Sequence, residues 1–341
     1  MKKKRIWFTL VVVLTLLPHV GIAEDCSTMT ACMAEMLETA SDSMTVGEIK
    51  QRCRDCVTAY QAKQPLPERE PETLKTMSPI DTRLQEEKKT GQDWFVLTPH
   101  RANYLLPMAY NSSPNEGVYE GTSLEDAELD NIEIKFQLSI KYQLLEDLFK
   151  NNGDLYFGYT NLSYWQAYNS DYSSPFRDTN HEPELWLQFD TDWEFWGIKT
   201  RLIQLGAWHQ SNGRGEPLSR SWNRLYANFI FSKGNFALSL KPWWRIPEDD
   251  EDDDNPHIER YLGYGELRAA YAWRHHTFSL MFRNNLKSSG NKGAVELGWS
   301  FPLYKKLKGY VQYFNGYGQS ILDYDDAANT IAVGFALSDI M

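Results

Sequence analysis

From about residue 100 to its end, the chain alternates apolar and polar side chains one position at a time. Ile132, Ile134, Phe136, Leu138 and Ile140 interleave with Glu133, Lys135, Gln137, Ser139 and Lys141. Successive side chains of a strand point to opposite faces, so the two sets occupy opposite sides of a sheet. Leu185, Leu187 and Phe189 repeat the pattern, as do Phe236, Leu238 and Leu240, and Val295, Leu297, Trp299 and Phe301. The spacing predicts twelve strands, within residues 100–111, 130–141, 154–166, 182–190, 197–211, 220–232, 235–245, 258–271, 275–285, 291–302, 308–318 and 329–338. An even count suits a closed antiparallel barrel, which leaves no unpaired backbone edge in hydrocarbon. The fold class expected is all-β: a twelve-stranded antiparallel transmembrane β-barrel over residues 90–341, apolar outside and polar inside.

Composition supports a membrane setting for that sheet. The chain holds 19 Tyr and 12 Trp, ample material for aromatic belts at the two membrane interfaces. No segment beyond the N-terminal run is long and uncharged enough for a membrane helix, which needs about 20 apolar residues. A soluble antiparallel sandwich accounts for the alternation, but not for its combination with aromatic-rich strands and an export signal.

That signal occupies residues 1–23: Lys2, Lys3, Lys4 and Arg5, an apolar run from Ile6 to Leu17, then Gly21-Ile22-Ala23. The order is that of a cleaved secretory signal. Cleavage after Ala23 leaves 31 basic residues against 46 acidic, a net charge of −15 in place of −11, which argues against nucleic acid as a partner. All four cysteines, Cys26, Cys32, Cys53 and Cys56, fall within residues 24–60, where apolar spacing permits a small helical hairpin. In an exported chain the even, clustered set points to two disulfides; Cys53-Arg54-Asp55-Cys56 also has zinc-ligand spacing. Residues 61–89, with Pro65, Pro67, Pro71 and Pro79 among many charges, read as a linker. The acidic run Glu248 to Asp254 reads as a solvated hairpin loop, without the ligand spacing of a preorganised calcium loop.

Candidate chemistry sits inside the strand pattern. Ile203, Leu205, Ala207, His209 and Ser211 share one parity, which puts His209 and Ser211 on the lipid-facing side. Two residues along a strand is a separation that the side chains can span, so His209 can take a proton from Ser211. In the next strand Asn223 shares parity with Leu225, Ala227, Phe229 and Phe231, and an antiparallel return brings it beside His209. Serine needs a base to become a useful nucleophile, and histidine needs a partner that fixes its tautomer. Asn223 supplies that partner without placing an unpaired carboxylate beside lipid.

At this point the sequence resembles the outer-membrane phospholipase A family. Its densest match is Trp208-His209-Gln210-Ser211-Asn212-Gly213-Arg214, continuing through Pro217, Ser219 and Arg220-Ser221-Trp222-Asn223-Arg224-Leu225-Tyr226. Tyr159-Thr160, Trp165-Gln166, Ser173-Ser174-Pro175-Phe176-Arg177 and Glu182-Pro183-Glu184-Leu185 extend it. The resemblance runs from about Phe95 to the C-terminus. It implies a bacterial outer-membrane enzyme that hydrolyses phospholipid acyl esters, with Ser211 as nucleophile, His209 as base and acid, and Asn223 orienting the histidine. It also implies Ca2+ near the Arg214 carbonyl and the Ser219 hydroxyl, with Ser173 contributed by the other protomer of a reversible homodimer. Gly213 is then a backbone donor to the oxyanion. Glu216 stands where the family pattern commonly has Asp, and Asn161 where it often has Gln at the dimer surface. The N-terminal extension is expected in the periplasm. A passive porin is the alternative that the strand pattern alone leaves open.

Overall fold

In the computed structural model, residues 28–39, 44–63, 78–91, 96–122, 128–249, 251 and 253–338 are described. The expected signal at 1–23, Cys26 and residues 64–77 of the expected linker lie outside them. The chain divides into two compact units, residues 1–75 and 76–341.

The first unit contains α1 (Met29–Thr39) and α2 (Val46–Lys63). Thr28 caps α1 by accepting from the Ala31 amide at 3.1 Å. Thr45 and Glu48 form a reciprocal capping box at the start of α2: Glu48 accepts from the Thr45 amide at 2.8 Å and donates its own amide to the Thr45 hydroxyl at 3.3 Å. Cys32 and Cys53 are joined by a disulfide, buried with Met36 and Ile49. Cys56 is also disulfide-bonded. Cys53 is thus half of a disulfide and not a zinc thiolate.

The second unit is a closed antiparallel barrel of twelve long strands: β1 (Asn103–Asn111), β2 (Ile132–Leu145), β3 (Asp154–Trp165), β4 (Phe176–Asp190), β5 (Ile198–Ser211), β6 (Ser221–Lys233), β7 (Phe236–Arg245), β8 (Gly265–Trp273), β9 (His276–Asn284), β10 (Gly293–Tyr304), β11 (Leu307–Tyr317) and β12 (Ala327–Ser338). Each pairs with its sequence neighbour, and β12 closes the ring on β1 through Ile331↔Tyr110 and Phe335↔Leu105. Closure pairs every edge, as a sheet in hydrocarbon requires. The predicted alternation holds in three dimensions. Glu133, Lys135, Ser139 and Lys141 are buried in the interior, while Leu138, Phe157, Leu185, Leu205 and Leu225 are exposed outside.

Three sequence expectations change. Residues 79–89 of the expected linker belong to a helix, α3 (Pro79–Gly91). Ser78 caps it by accepting from the Asp81 amide at 3.2 Å, and Pro79 occupies a first-turn position where a missing N–H costs nothing. Glu87 of α3 meets the inward-facing Lys141 at 2.8 Å, and Arg83 donates to the Pro99 and His100 carbonyls. A cavity of about 180 Å³ lies between α3 and the barrel wall, lined by Arg83, Glu87, Lys141, Lys241 and Arg268 among others. The fourth strand begins at Phe176, well before residue 182, because Pro183 interrupts only its pairing with β5. The register runs from Asp190↔Leu202 to Glu184↔Trp208 and resumes at His181↔Ser211, skipping Glu182 and Pro183. Proline has no amide to give the ladder. Residues 258–264 are not strand: they contain a short helix, α4 (Glu259–Leu262), and β8 starts at Gly265.

Five interstrand connections at one end of the barrel are short, two to eight residues, and the connections at the other end are longer, eight to 20. His209 and Ser211 lie at the long-loop end of β5.

Candidate active site on the outer wall

β5 and β6 form the site. Their register places His209 opposite Asn223 and Ser211 opposite Ser221. His209, Ser211 and Asn223 are half-buried and outward, in line with the exposed Leu205, Ala207 and Leu225; Trp208, Trp222 and Arg224 are buried inward. His209 Nδ1 and Asn223 Oδ1 are 2.8 Å apart. Because that oxygen only accepts, Nδ1 is the donor in this contact, which leaves Nε2 as the ring nitrogen open to exchange a proton with a substrate or Ser211. Among the described residues no hydrogen bond joins the Ser211 hydroxyl to the imidazole, an interaction that substrate-free sites often leave loose.

The other side of the same strands is pinned. Gln210, between the base and the candidate nucleophile, accepts from Trp222 Nε1 at 2.9 Å and from Arg224 at 3.0 Å, and donates to Glu182 at 3.2 Å. The Arg224 guanidinium lies 3.3 Å from the Trp208 ring centroid and 3.7 Å from that of Trp222. Sequence parity marked these residues as inward without revealing that they clamp the site from behind.

A row across four strands extends the outer face. Asn161 pairs with His181, His181 with Ser211, and Ser211 with Ser221. At about 4.8 Å per strand, Asn161 stands about 10 Å from Ser211 on the same wall. Asn161 Oδ1 accepts from the Ser163 hydroxyl at 3.0 Å, so its amide nitrogen remains for another partner. His181, which the sequence did not single out, shares a 2.7 Å hydrogen bond with the Tyr159 hydroxyl. Gly213 adopts φ of +65°, in the left-handed region, two residues past the end of the strand.

The loops hold the remaining candidates. The Ser219 hydroxyl donates to Asp254 at 2.5 Å, and Glu216 shares a hydrogen bond with the same Asp254, which raises the Glu216 carboxyl above its usual range. Two carboxylates and a hydroxyl thus converge, an all-oxygen set of the kind a hard cation takes. This donor set fits calcium, with the Arg214 carbonyl nearby in the chain. Arg214 itself donates to the Phe176 and Arg177 carbonyls, both at 2.8 Å, tying its loop to the start of β4. Ser173, in a left-handed turn with φ of +59°, lies on the preceding loop. No hydrogen bond among the described residues joins it to Ser219, Glu216 or Arg214.

The acidic run is not a free hairpin. Glu248 accepts from Asn223 Nδ2 at 3.0 Å, Asp254 reaches Ser219, and Asn255 accepts from the Ser221 amide at 2.8 Å. Arg245 holds the run from β7 through Asp253 at 2.6 Å and Glu248 at 3.5 Å. No spacing rule within the run forecasts its contacts to Asn223, Ser219 and Ser221, because those partners lie on another hairpin.

Comparison with known proteins adds identity to this geometry. A family model described as phospholipase A1 matches residues 80–337. The phospholipase A1 of Klebsiella pneumoniae is 39% identical over 246 residues, covering 72% of this chain and 84% of that protein. A putative phospholipase A1 of Neisseria meningitidis is 36% identical over 280 residues, covering 79% and 72%. Among solved structures, the outer membrane phospholipase A of Escherichia coli superimposes with a TM-score of 0.69 at 37% identity, covering 73% of this chain and 94% of that one. A Salmonella typhi outer membrane phospholipase, solved as a dimer with bound calcium, gives the same TM-score and identity over 73% and 95%.

Proposed function

Since the chain belongs to the phospholipase A1 family, we propose that it hydrolyses phospholipid acyl esters on the outside wall of its barrel through Ser211, His209 and Asn223. The observation that carries this reading is the outward contact of His209 Nδ1 with Asn223 Oδ1 at 2.8 Å, one step along the strand face from Ser211. Barrel folds of this kind keep short turns in the periplasm and long loops outside, so the site meets the outer leaflet and the cysteine-containing extension stays periplasmic.

In the reaction, Ser211 Oγ attacks the ester carbonyl carbon as its proton passes to His209 Nε2. Asn223 holds the Nδ1 proton of the resulting imidazolium. The Gly213 amide donates to the developing oxyanion. His209 then returns its proton to the departing lysophospholipid alkoxide, leaving an acyl-serine. Water deprotonated by His209 attacks that ester, and the fatty acid leaves as Ser211 recovers its proton. The first acyl ester, the second and that of a lysophospholipid are all carboxylic esters, so the same steps serve phospholipase A1, A2 and lysophospholipase activity.

Ser219, Glu216 and Asp254 would hold calcium together with the Arg214 carbonyl. The bound ion supplies positive potential toward the oxyanion. The dimer with bound calcium seen in the Salmonella relative supports a homodimer here; in this proposal it is reversible, the partner subunit's Ser173 completes the calcium site and Asn161 hydrogen-bonds across the interface. The passive porin has against it a lumen crossed by ion pairs, Arg101 with Glu182 at 2.7 Å and Lys241 with Glu184 at 2.9 Å.

The test is hydrolysis of defined phospholipids by wild type and Ser211→Ala in matched detergent, with calcium and with chelator. Fatty acid and lysophospholipid are expected from the wild type with calcium only. Equal product from both variants removes Ser211 as nucleophile, and solute conduction without ester hydrolysis restores the porin.

A further inference from the structure

An asparagine that orients a histidine has a weakness an aspartate lacks. Its amide has two ends of similar size, one accepting and one donating, and a half-turn about the last torsion exchanges them. With Oδ1 toward the imidazole, Nδ1 is the protonated nitrogen and Nε2 can take the serine proton. With Nδ2 toward it, the amide donates to Nδ1, the proton moves to Nε2, and the base is disabled. The strands alone do not choose between the two.

The choice is made from the loop between β7 and β8. Glu248 Oε1 lies 3.0 Å from Asn223 Nδ2, while Asn223 Oδ1 lies 2.8 Å from His209 Nδ1. An ionised carboxylate accepts and cannot donate, so it tolerates only the Nδ2 end. Arg245 fixes the carboxylate in turn: its guanidinium lies 3.5 Å from Glu248 and is also paired to Asp253 and Glu259. The backbone agrees, since the Ile246 amide donates to the Asn223 carbonyl at 2.8 Å and lays the loop along the end of β6. We propose that Glu248 is a positioning residue that selects the catalytically competent amide orientation of Asn223, and through it the tautomer of His209. The proposal rests on the Ser211, His209 and Asn223 reading above. It makes the acidic loop part of the proton-transfer apparatus as well as a source of calcium ligands.

The experiment is a set of variants assayed on defined phospholipid micelles at saturating calcium. Glu248→Ala is expected to lower kcat about tenfold with KM unchanged, the size of one lost orienting hydrogen bond. Glu248→Gln keeps an acceptor oxygen in reach and is expected to recover most of that loss. Asn223→Asp presents two acceptor oxygens and has no orientation to choose. In that background Glu248→Ala should cost nothing, or raise kcat by removing a neighbouring negative charge. The proposal is overturned if Glu248→Ala turns over at the wild-type rate, if it loses the same factor in both backgrounds, or if Glu248→Gln is as impaired as Glu248→Ala. A raised calcium requirement in Glu248→Ala, with kcat at saturating calcium equal to that of the wild type, would assign Glu248 to metal binding instead, and also overturns it. Full activity of Ser211→Ala is a separate result: it sinks the catalytic reading itself, whatever Glu248 does.

Discussion

On the outward face of β5 and β6, His209, Ser211 and Asn223 stand among Leu205, Ala207 and Leu225; one residue away on the inward face, Gln210, Trp222 and Arg224 are tied into a lattice of buried polar groups. The outer face has few fixed bonds, chiefly those of Asn223 with His209 and with Glu248, and among the described residues none to the Ser211 hydroxyl. The inner face is dense: Glu184 alone is met by Lys241, Arg101 and His100. Hydrocarbon cannot satisfy polar groups, so the outer wall carries few of them. The lumen can satisfy many, and there they serve to hold the strands. A densely bonded interior holds the strands, and the sparsely bonded exterior carries the candidate triad.

That division can be broken from either side. Replacing Ser211 by Ala should reduce kcat by at least about 10³-fold, since the nucleophile is lost, while leaving thermal unfolding in detergent unchanged. A coincident loss of thermal stability would show that the outer face also holds the fold. Replacing Glu184 by Ala strands buried cations and should destabilise the barrel by about 3–5 kcal/mol in denaturant titrations. The folded fraction should retain near-normal KM, and a selective kcat defect without loss of stability would contradict the split. At the loops, Ser219→Ala should raise the calcium needed for half-maximal activity about tenfold, read from calcium titrations of hydrolysis. The Glu216 carboxyl, held above its usual range by its hydrogen bond to Asp254, keeps its proton to higher pH. A metal must displace that proton, so the calcium requirement of the wild type should fall as pH rises through its titration; a pH-independent requirement removes Glu216 from the site. Smallest of all, Leu205→Ala on the exposed wall should change stability by less than about 0.5 kcal/mol in the same titrations.

Much of this was legible in the residues themselves. The alternation around Ile132 to Lys141 forecast which side chains are buried, and the common parity of His209, Ser211 and Leu205 forecast that the candidate residues face outward. Other features were hidden by misleading local signals. Pro79 looked like linker composition, although Ser78 and Pro79 together form a helix start that could have been read. Pro183 lies near the start of the expected strand 182–190, yet it only interrupts one ladder of a strand that continues on both sides. The run from Glu248 to Asp254 gave no sign of its role, because its partners Asn223 and Ser219 lie 25 and 35 positions away.

What the sequence determined by itself is the period of two, since covalent geometry turns each side chain opposite its neighbour wherever a strand forms. Parity, the inside-out barrel and the outward placement of the candidate triad follow from that local rule. What only the tertiary structure decided is register and loop return: that His209 faces Asn223, that Asn161, His181 and Ser211 share one row, and that Glu248 and Asp254 fold back over the site. Those depend on how twelve strands stagger to close a ring, a condition on the whole sheet that no single segment contains.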